Sequence, residues 1–209
     1  GHVAEKLLKD GHEVSGCDNL IGGYLDNVPE DAEFFQVDAI YLNQMRKMTQ
    51  DSDVIIHTAC TAYEGLSVFS PYLVGQNTYQ ISMSVFSAAA ENKTPKVINF
   101  SSMARYGEQE ITPFTEDMTP QPQDPYGIAK LSAEKTLEVL SEVHNFKYVN
   151  LVPHNIMGPK QKYDDPFRNV VSIMINRMLQ NKAPVIYGDG NQTRCFSYID
   201  DCLSCLIPM

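Results

Sequence analysis

No apolar run in the sequence approaches the ~18 residues that cross a bilayer as a helix, and no basic, apolar leader opens it. Neither a membrane span nor secretion is expected. Positive charge is scarce: 16 Lys and Arg stand against 26 Asp and Glu, a formal net charge of -10 at pH 7. A field of that sign repels phosphate backbones, which argues against general nucleic-acid binding but not against a small phosphorylated ligand held by local cations or helix ends. A cysteine framework is also missing. Cys17, Cys60, Cys195, Cys202 and Cys205 are odd in number and scattered, so a disulfide scaffold is not expected. Cys202 and Cys205 form a CxxC with no second pair of ligands nearby; they read as two small apolar residues on one helix face, and no metal is expected. Reduced thiols point to the cytoplasm. Internal repeats and low-complexity linkers are absent too.

What is there fits a globular domain with a sizeable core: 209 residues, 43% hydrophobic and 20% charged. Strand-like and helix-like stretches alternate. "HVAEKLLKDG" is helical, with Gly11 placed to cap its end. "HEVSGCD" and "AEFFQVDA" read as strands ending in Asp18 and Asp38, and "YLNQMRKMTQ" as a helix. "SDVIIHTA", "PKVINFSS" and "KYVNLVP" are further strands, and "APVIYGDG" is a short one. "SPYLVGQNTYQISMSVFSAAAENK", "YGIAKLSAEKTLEVLSEV" and "NVVSIMINRMLQNK" are helices. Continuous rather than alternating apolar runs mean strands covered on both faces, the mark of a parallel sheet between helices. The fold class expected is α/β with a doubly wound parallel sheet, whose ligands gather at the carboxyl ends of the strands. Such a fold wants a strand before its first helix, yet residue 1 leads straight into that helix, and "SYIDDCLSCLIPM" stops where a helix has barely begun. A fragment trimmed at both ends is expected.

The chemistry concentrates in "DPYGIAK". Tyr126 and Lys130, four apart, share one helix face. A phenol has a reference pKa of about 10, and an adjacent ammonium lowers it. Service as a base near neutrality requires a shift of ~3 pH units, more than one cation supplies alone. The same spacing also suits an ordinary amphipathic helix. Ser101 and Ser102, at the carboxyl end of the strand in "NFSSMARYG", face the ligand crevice of such a sheet, where a hydroxyl could relay a substrate proton to the phenolate; a serine pair also suits a plain turn. The loop from Glu108 to Pro125 is long enough to be functional.

Taken in order, "GHVAEKLLKDGHEVSGCDNL", "VDA", "IIHTAC", "FSSMARYG", "DPYGIAKLSAEK", "PHNIMGPKQ" and "IYGDGNQTRCFSYIDD" resemble the extended short-chain dehydrogenase/reductase superfamily, and within it the NAD-dependent nucleotide-sugar epimerase/dehydratase family. The resemblance implies a Rossmann-like NAD-binding domain over residues 1–155, with part of a substrate-binding region over 156–209. Gly1 matches the third glycine of the family's GxxGxxG turn. Asp18 matches the acidic residue on the adenosine ribose, which favours NAD over NADP. Asn19, Asp38, Ala59, Cys60, Asn77, Ser101 and Pro153 fall at further cofactor-side positions. Ser102, Tyr126 and Lys130 match the catalytic serine, tyrosine and lysine. Asn155, Asn169, Tyr187 and Arg194 match substrate-binding positions, with Arg194 on the diphosphate, where charge-assisted bonds overcome the unfavourable overall charge.

Departures from the family pattern narrow the reaction. Family dehydratases carry Asp-Glu directly after the catalytic Ser or Thr, where this chain has Met103 and Ala104, and the glutamate of the related decarboxylases is absent as well. Elimination and decarboxylation are disfavoured, leaving oxidation–reduction. Arg105, Val152 and Cys195 replace a usual valine, arginine and aspartate and bear on the fit of the substrate. The function implied is epimerisation of a nucleotide sugar, at C4 of a UDP-hexose, by a homodimer. A nucleotide-sugar reductase or dehydrogenase, and a non-catalytic nucleotide-binding relative, are the alternatives.

Overall fold

The computed structural model describes residues 1–165 and 170–209. In chain order the first elements are α1 (His2–Lys9), β1 (Ser15–Cys17), β2 (Glu33–Phe35), α2 (Leu42–Met48), β3 (Val54–His57), α3 (Glu64–Ser67), α4 (Pro71–Gly75) and α5 (Ile81–Glu91). After them come β4 (Lys96–Phe100), α6 (Pro125–His144), β5 (Lys147–Leu151), β6 (Ile156–Met157), α7 (Val170–Leu179), β7 (Ser197–Tyr198) and α8 (Ile199–Leu206). Two compact units result: Gly16–Asn19 with Phe35–Pro153, and Gly1–Ser15 with Leu20–Phe34 and His154–Met209.

The first unit is built on β3, β4 and β5, a parallel sheet in that order, with Ile56 beside Ile98 and Ile98 beside Val149. The central strand buries Val97 and Ile98, as its continuous apolar run requires. Ala88 and Ala89 on α5 and Ala133 on α6 are small enough to bring these helices close, and Phe86 and Leu137 fill the remaining core without exposure. α6 starts where its sequence dictates: the Asp124 carboxylate accepts the Gly127 amide at 2.9 Å and Pro125 occupies the first turn. It ends at Asn145, which adopts the left-handed conformation with φ 57°.

The stretch expected as one helix over 70–93 departs from a plain α-helix. α4 and α5 are joined by a π turn over Gln76–Gln80, so the helix widens by one residue at Asn77.

In the second unit, α1 closes as a Schellman cap. Gly11 takes φ 88°, its amide bonds the Leu8 carbonyl at 3.0 Å, and the His12 amide bonds Leu7 at 3.1 Å. β6 and β7 pair in parallel, with Ile156 beside Ser197, and lead into α8. This pairing of two-residue strands was not expected. The strand expected in "APVIYGDG" does not form: residues 182–187 have no regular structure and are exposed, so their apolar run has no face to cover it. The cysteine pair Cys202 and Cys205 lies on α8, with both thiols free.

Candidate active site

Most candidate residues of the first unit lie just past the carboxyl end of a strand. Asp18 and Asn19 follow β1, Asp38 follows β2, Ala59 and Cys60 follow β3, Ser101 and Ser102 follow β4, and Pro153 follows β5. Asp38 is held on both oxygens, by Asn19 Nδ2 at 2.9 Å and the Ile40 amide at 2.9 Å. Asn77, on the π turn, grips the loop after β3 twice. Its Nδ2 donates to Thr61 Oγ1 at 3.0 Å, and its carbonyl accepts the Thr61 amide at 3.2 Å. Thr61 is a site-organising residue that sequence reasoning passed over; its hydroxyl carries no periodic signal.

Tyr126 and Lys130, 5% and 3% exposed, sit on the first two turns of α6. The Ser102 hydroxyl and the Cys60 thiol are neighbours of the Tyr126 phenol, near enough to shift its pKa. Ser102 is set by its own turn, accepting the Ala104 amide at 3.2 Å as the cap of a 3₁₀ segment over Met103–Arg105. Gly127 allows that segment to lie against α6: a Cβ there would stand 2.6 Å from the Ala104 carbonyl oxygen.

Electrostatically, the pair differs from the expectation that the adjacent ammonium lowers the phenol's pKa. Burial pushes Tyr126 above its ordinary value, the Cys60 thiol and Glu64 add to the rise, and the Ser102 hydroxyl works the other way. The Lys130 ammonium lies 5.9 Å from the ring centre and donates to the Phe100 carbonyl at 2.6 Å. That is its hydrogen-bond partner among the described residues, and it leaves two of the three ammonium donors for a ligand.

The same charge reaches His57 on β3. Its pKa is lowered to about 3, first by burial and then by Lys130, and the neutral ring meets Ser82 Oγ at 2.9 Å.

The remaining expected residues belong to the second unit. Asn155, at φ 36°, donates from Nδ2 to the Cys195 carbonyl at 3.0 Å, which brings it beside the segment carrying Arg194. Arg194 is exposed and donates to the Thr193 carbonyl at 2.7 Å, and burial followed by Arg194 lowers the pKa of His154. Tyr187 stands apart, 83% exposed. Gly1 packs where a Cβ would come within 2.7 Å of the Asn27 carbonyl oxygen, so the position accepts only glycine without a shift. Asn169 lies outside the described residues.

Residues 1–209 match the NAD dependent epimerase/dehydratase family along their full extent. The chain belongs to that family. Its fold is similar to that of the UDP-glucose 4-epimerase of Thermotoga maritima, solved with UDP-glucose, at TM-score 0.94 and 29% identity over 99% of this chain and 68% of that one. It is similar to the UDP-N-acetylglucosamine 4-epimerase of Methanobrevibacter ruminantium, solved with UDP-N-acetylmuramic acid, at TM-score 0.91 and 32% identity over 99% and 67% of the two chains. It is also similar to the UDP-glucose 4-epimerase of Thermus thermophilus in complex with NAD, at TM-score 0.91 and 28% identity over 99% and 69%. The family member's α/β fold is therefore Rossmann-like, and the chain spans about two thirds of the length of the relatives it matches. Among the described residues no helix is long and apolar enough to cross a membrane.

Proposed function

We propose that this family member interconverts the C4 epimers of a UDP-hexose through a transient keto-sugar, using bound NAD. The observation that carries the proposal is the buried Tyr126–Lys130 pair on one face of α6, the ammonium 5.9 Å from the ring centre, with the Ser102 hydroxyl beside the phenol. Membership of an epimerase/dehydratase family supports it, as do relatives described as UDP-sugar 4-epimerases.

The residues fit NAD. Asp18 offers a carboxylate past β1 that suits a ribose diol and repels a 2′-phosphate. Asp38, held by Asn19 and Ile40, presents a fixed polar edge for the adenine side. Ala59 and Cys60 are small enough for the dinucleotide to lie against the loop after β3. The two unused donors of Lys130 suit the nicotinamide ribose hydroxyls. Gly1, Asn77, Ser101 and Pro153 complete the proposed cofactor positions. When bound, NAD supplies a reversible hydride acceptor and, through its cationic ring, the charge that this chain's own groups do not provide to the phenol.

Tyr126 then acts as the base at its phenol oxygen, taking the proton of the sugar 4-hydroxyl, and Ser102 holds that hydroxyl and relays the proton. The proton returns by the same route after the keto-sugar has presented its opposite face. Asn155, Asn169, Tyr187 and Arg194 are the proposed substrate residues, with Arg194 holding the diphosphate through charge-assisted bonds. Met103 and Ala104, following Ser102, bring no acid or base that would divert the keto-sugar to elimination. The proposed domains are an NAD-binding domain over residues 1–155 and a substrate-binding region over 156–209.

A homodimer is part of the proposal. Tyr72 and Leu73 on α4 and Val139 and Val143 on α6 are exposed, and Tyr79 reaches Thr136 at 3.3 Å between the neighbouring helical segments, so apolar side chains of adjacent helices are available to a second copy. The free cysteines suit a cytoplasmic enzyme. The test is incubation of the NAD-loaded protein with UDP-glucose. Conversion to the C4 epimer without net consumption of nicotinamide is expected. Net NADH formation would favour a dehydrogenase, and NAD binding with no turnover on UDP, GDP or dTDP sugars a non-catalytic role.

A further inference from the structure

Tyr126, Lys130 and Glu134 recur every four residues on one face of α6. Glu134 is buried, and its carboxylate joins both ends of the turn that carries Ser102. One oxygen accepts the Ser101 hydroxyl. The other pairs with Arg105 Nη1 at 2.7 Å, the two side chains being 15% and 5% exposed. The turn is anchored on its other side by the Ser101 amide, which bonds the Leu151 carbonyl of β5 at 2.7 Å. We propose that Glu134 is a positioning residue: with Arg105 it ties the Ser101–Arg105 turn to α6 and so fixes Ser102 against the Tyr126 phenol. The proposal rests on the reading of Ser102 and Tyr126 as proton-transfer partners.

Three observations favour this over simple stabilisation. A buried ion pair is seldom more stabilising than an apolar pair of the same size, because both charges lose their water. Here the cost is visible on both partners. Burial raises the Glu134 pKa against the opposing effects of Ser101 and Arg105, and Arg105 Nε is buried without a hydrogen-bond partner among the described residues. An arrangement that leaves a donor unsatisfied is poor for stability but sets direction, because a carboxylate with two fixed partners admits little rotation. Finally, the two partners, Ser101 and Arg105, flank Ser102 and not some remote segment. The close approach of Gly127 to Ala104 brings the same turn against α6, and Glu134 locks it two turns further along.

The test uses the full chain with NAD and a variant that removes the tether without leaving a lone buried charge, R105M/E134M. Its melting temperature should stay within about 3 °C of the parent. Its kcat should fall at least ~10-fold with KM changed less than about twofold, since orientation and not binding is lost. Independently of turnover, the amides of Arg105, Tyr106 and Gly107, bonded within the turn, should exchange hydrogen at least ~10-fold faster. Glu134→Gln keeps an oxygen for Arg105 and an amide that can donate to the Ser101 hydroxyl oxygen, and should retain most of that protection. A double variant with parental kcat and parental exchange overturns the tether, as does a Gln variant that exchanges as fast as the double variant. Should the parent turn over no nucleotide sugar, the functional reading fails, while the exchange rates still decide whether Glu134 holds the turn.

Discussion

Replacing Tyr126 by Phe is expected to lower the epimerisation rate at least ~100-fold, the usual scale for a positioned acid–base group. The substitution keeps the ring in its buried place on α6 and removes only the oxygen that meets Ser102 and Cys60. NAD content and thermal stability should therefore stay near parental, and the loss should appear in kcat. Ser102→Ala should act in the same direction with a smaller loss, because the phenol keeps its place while the hydroxyl that opposes the rise in its pKa disappears. The rate of C4 interconversion, followed by NMR on the full chain, measures both. A Phe variant with near-parental turnover would remove the phenol from the mechanism.

The second large effect concerns stability in acid. Burial, with Lys130 adding to it, lowers the His57 pKa to about 3, whereas an unfolded chain binds that proton near 6.5. Between these values the unfolded state holds the proton and the folded state does not. Stability from this residue is therefore complete above about pH 6.5 and is lost as pH falls toward 3, with a limiting slope of ~1.4 kcal/mol per pH unit. Carboxylates titrate in the same window, so the comparison is between the parent and His57→Gln, which keeps a polar partner for Ser82 but no proton site. Denaturant titrations at several pH values should give the Gln variant a shallower acid slope by ~1 kcal/mol per pH unit. Equal slopes would mean that His57 is protonated in the folded state.

Much of the fold was legible because it follows local rules. The apolar runs around Val54, Val97 and Val149 pointed to parallel strands and became β3, β4 and β5. The helical run that opens with Tyr126 became α6, and Gly11 marked the end of α1. Tyr126 and Lys130 share the expected face because a spacing of four is a property of the helix itself. What escaped depends on groups distant in sequence. The two-residue pairing of β6 and β7 is too short to carry periodicity. The apolar run in "APVIYGDG" gave a strand signal, but residues 182–187 have no regular structure. The π turn at Asn77 arises within an otherwise unbroken helical pattern. The ammonium–phenol argument used charge alone, and burial, which only the folded chain defines, reverses the direction for Tyr126. Glu134 was within reach: it continues the four-residue spacing of Tyr126 and Lys130, but its partners Ser101 and Arg105 lie about thirty positions away.

The proposed route moves hydrogen off C4 as hydride, holds it within the site and returns it to the same carbon. The direct measurement is to supply UDP-glucose deuterated at C4 to the NAD-loaded full chain in ordinary water and to read both epimers by mass spectrometry and NMR. Deuterium should stay at C4 of substrate and product alike, with no build-up of reduced nicotinamide. Washout of the label into solvent, or its accumulation on released cofactor, would contradict hydride return at this site.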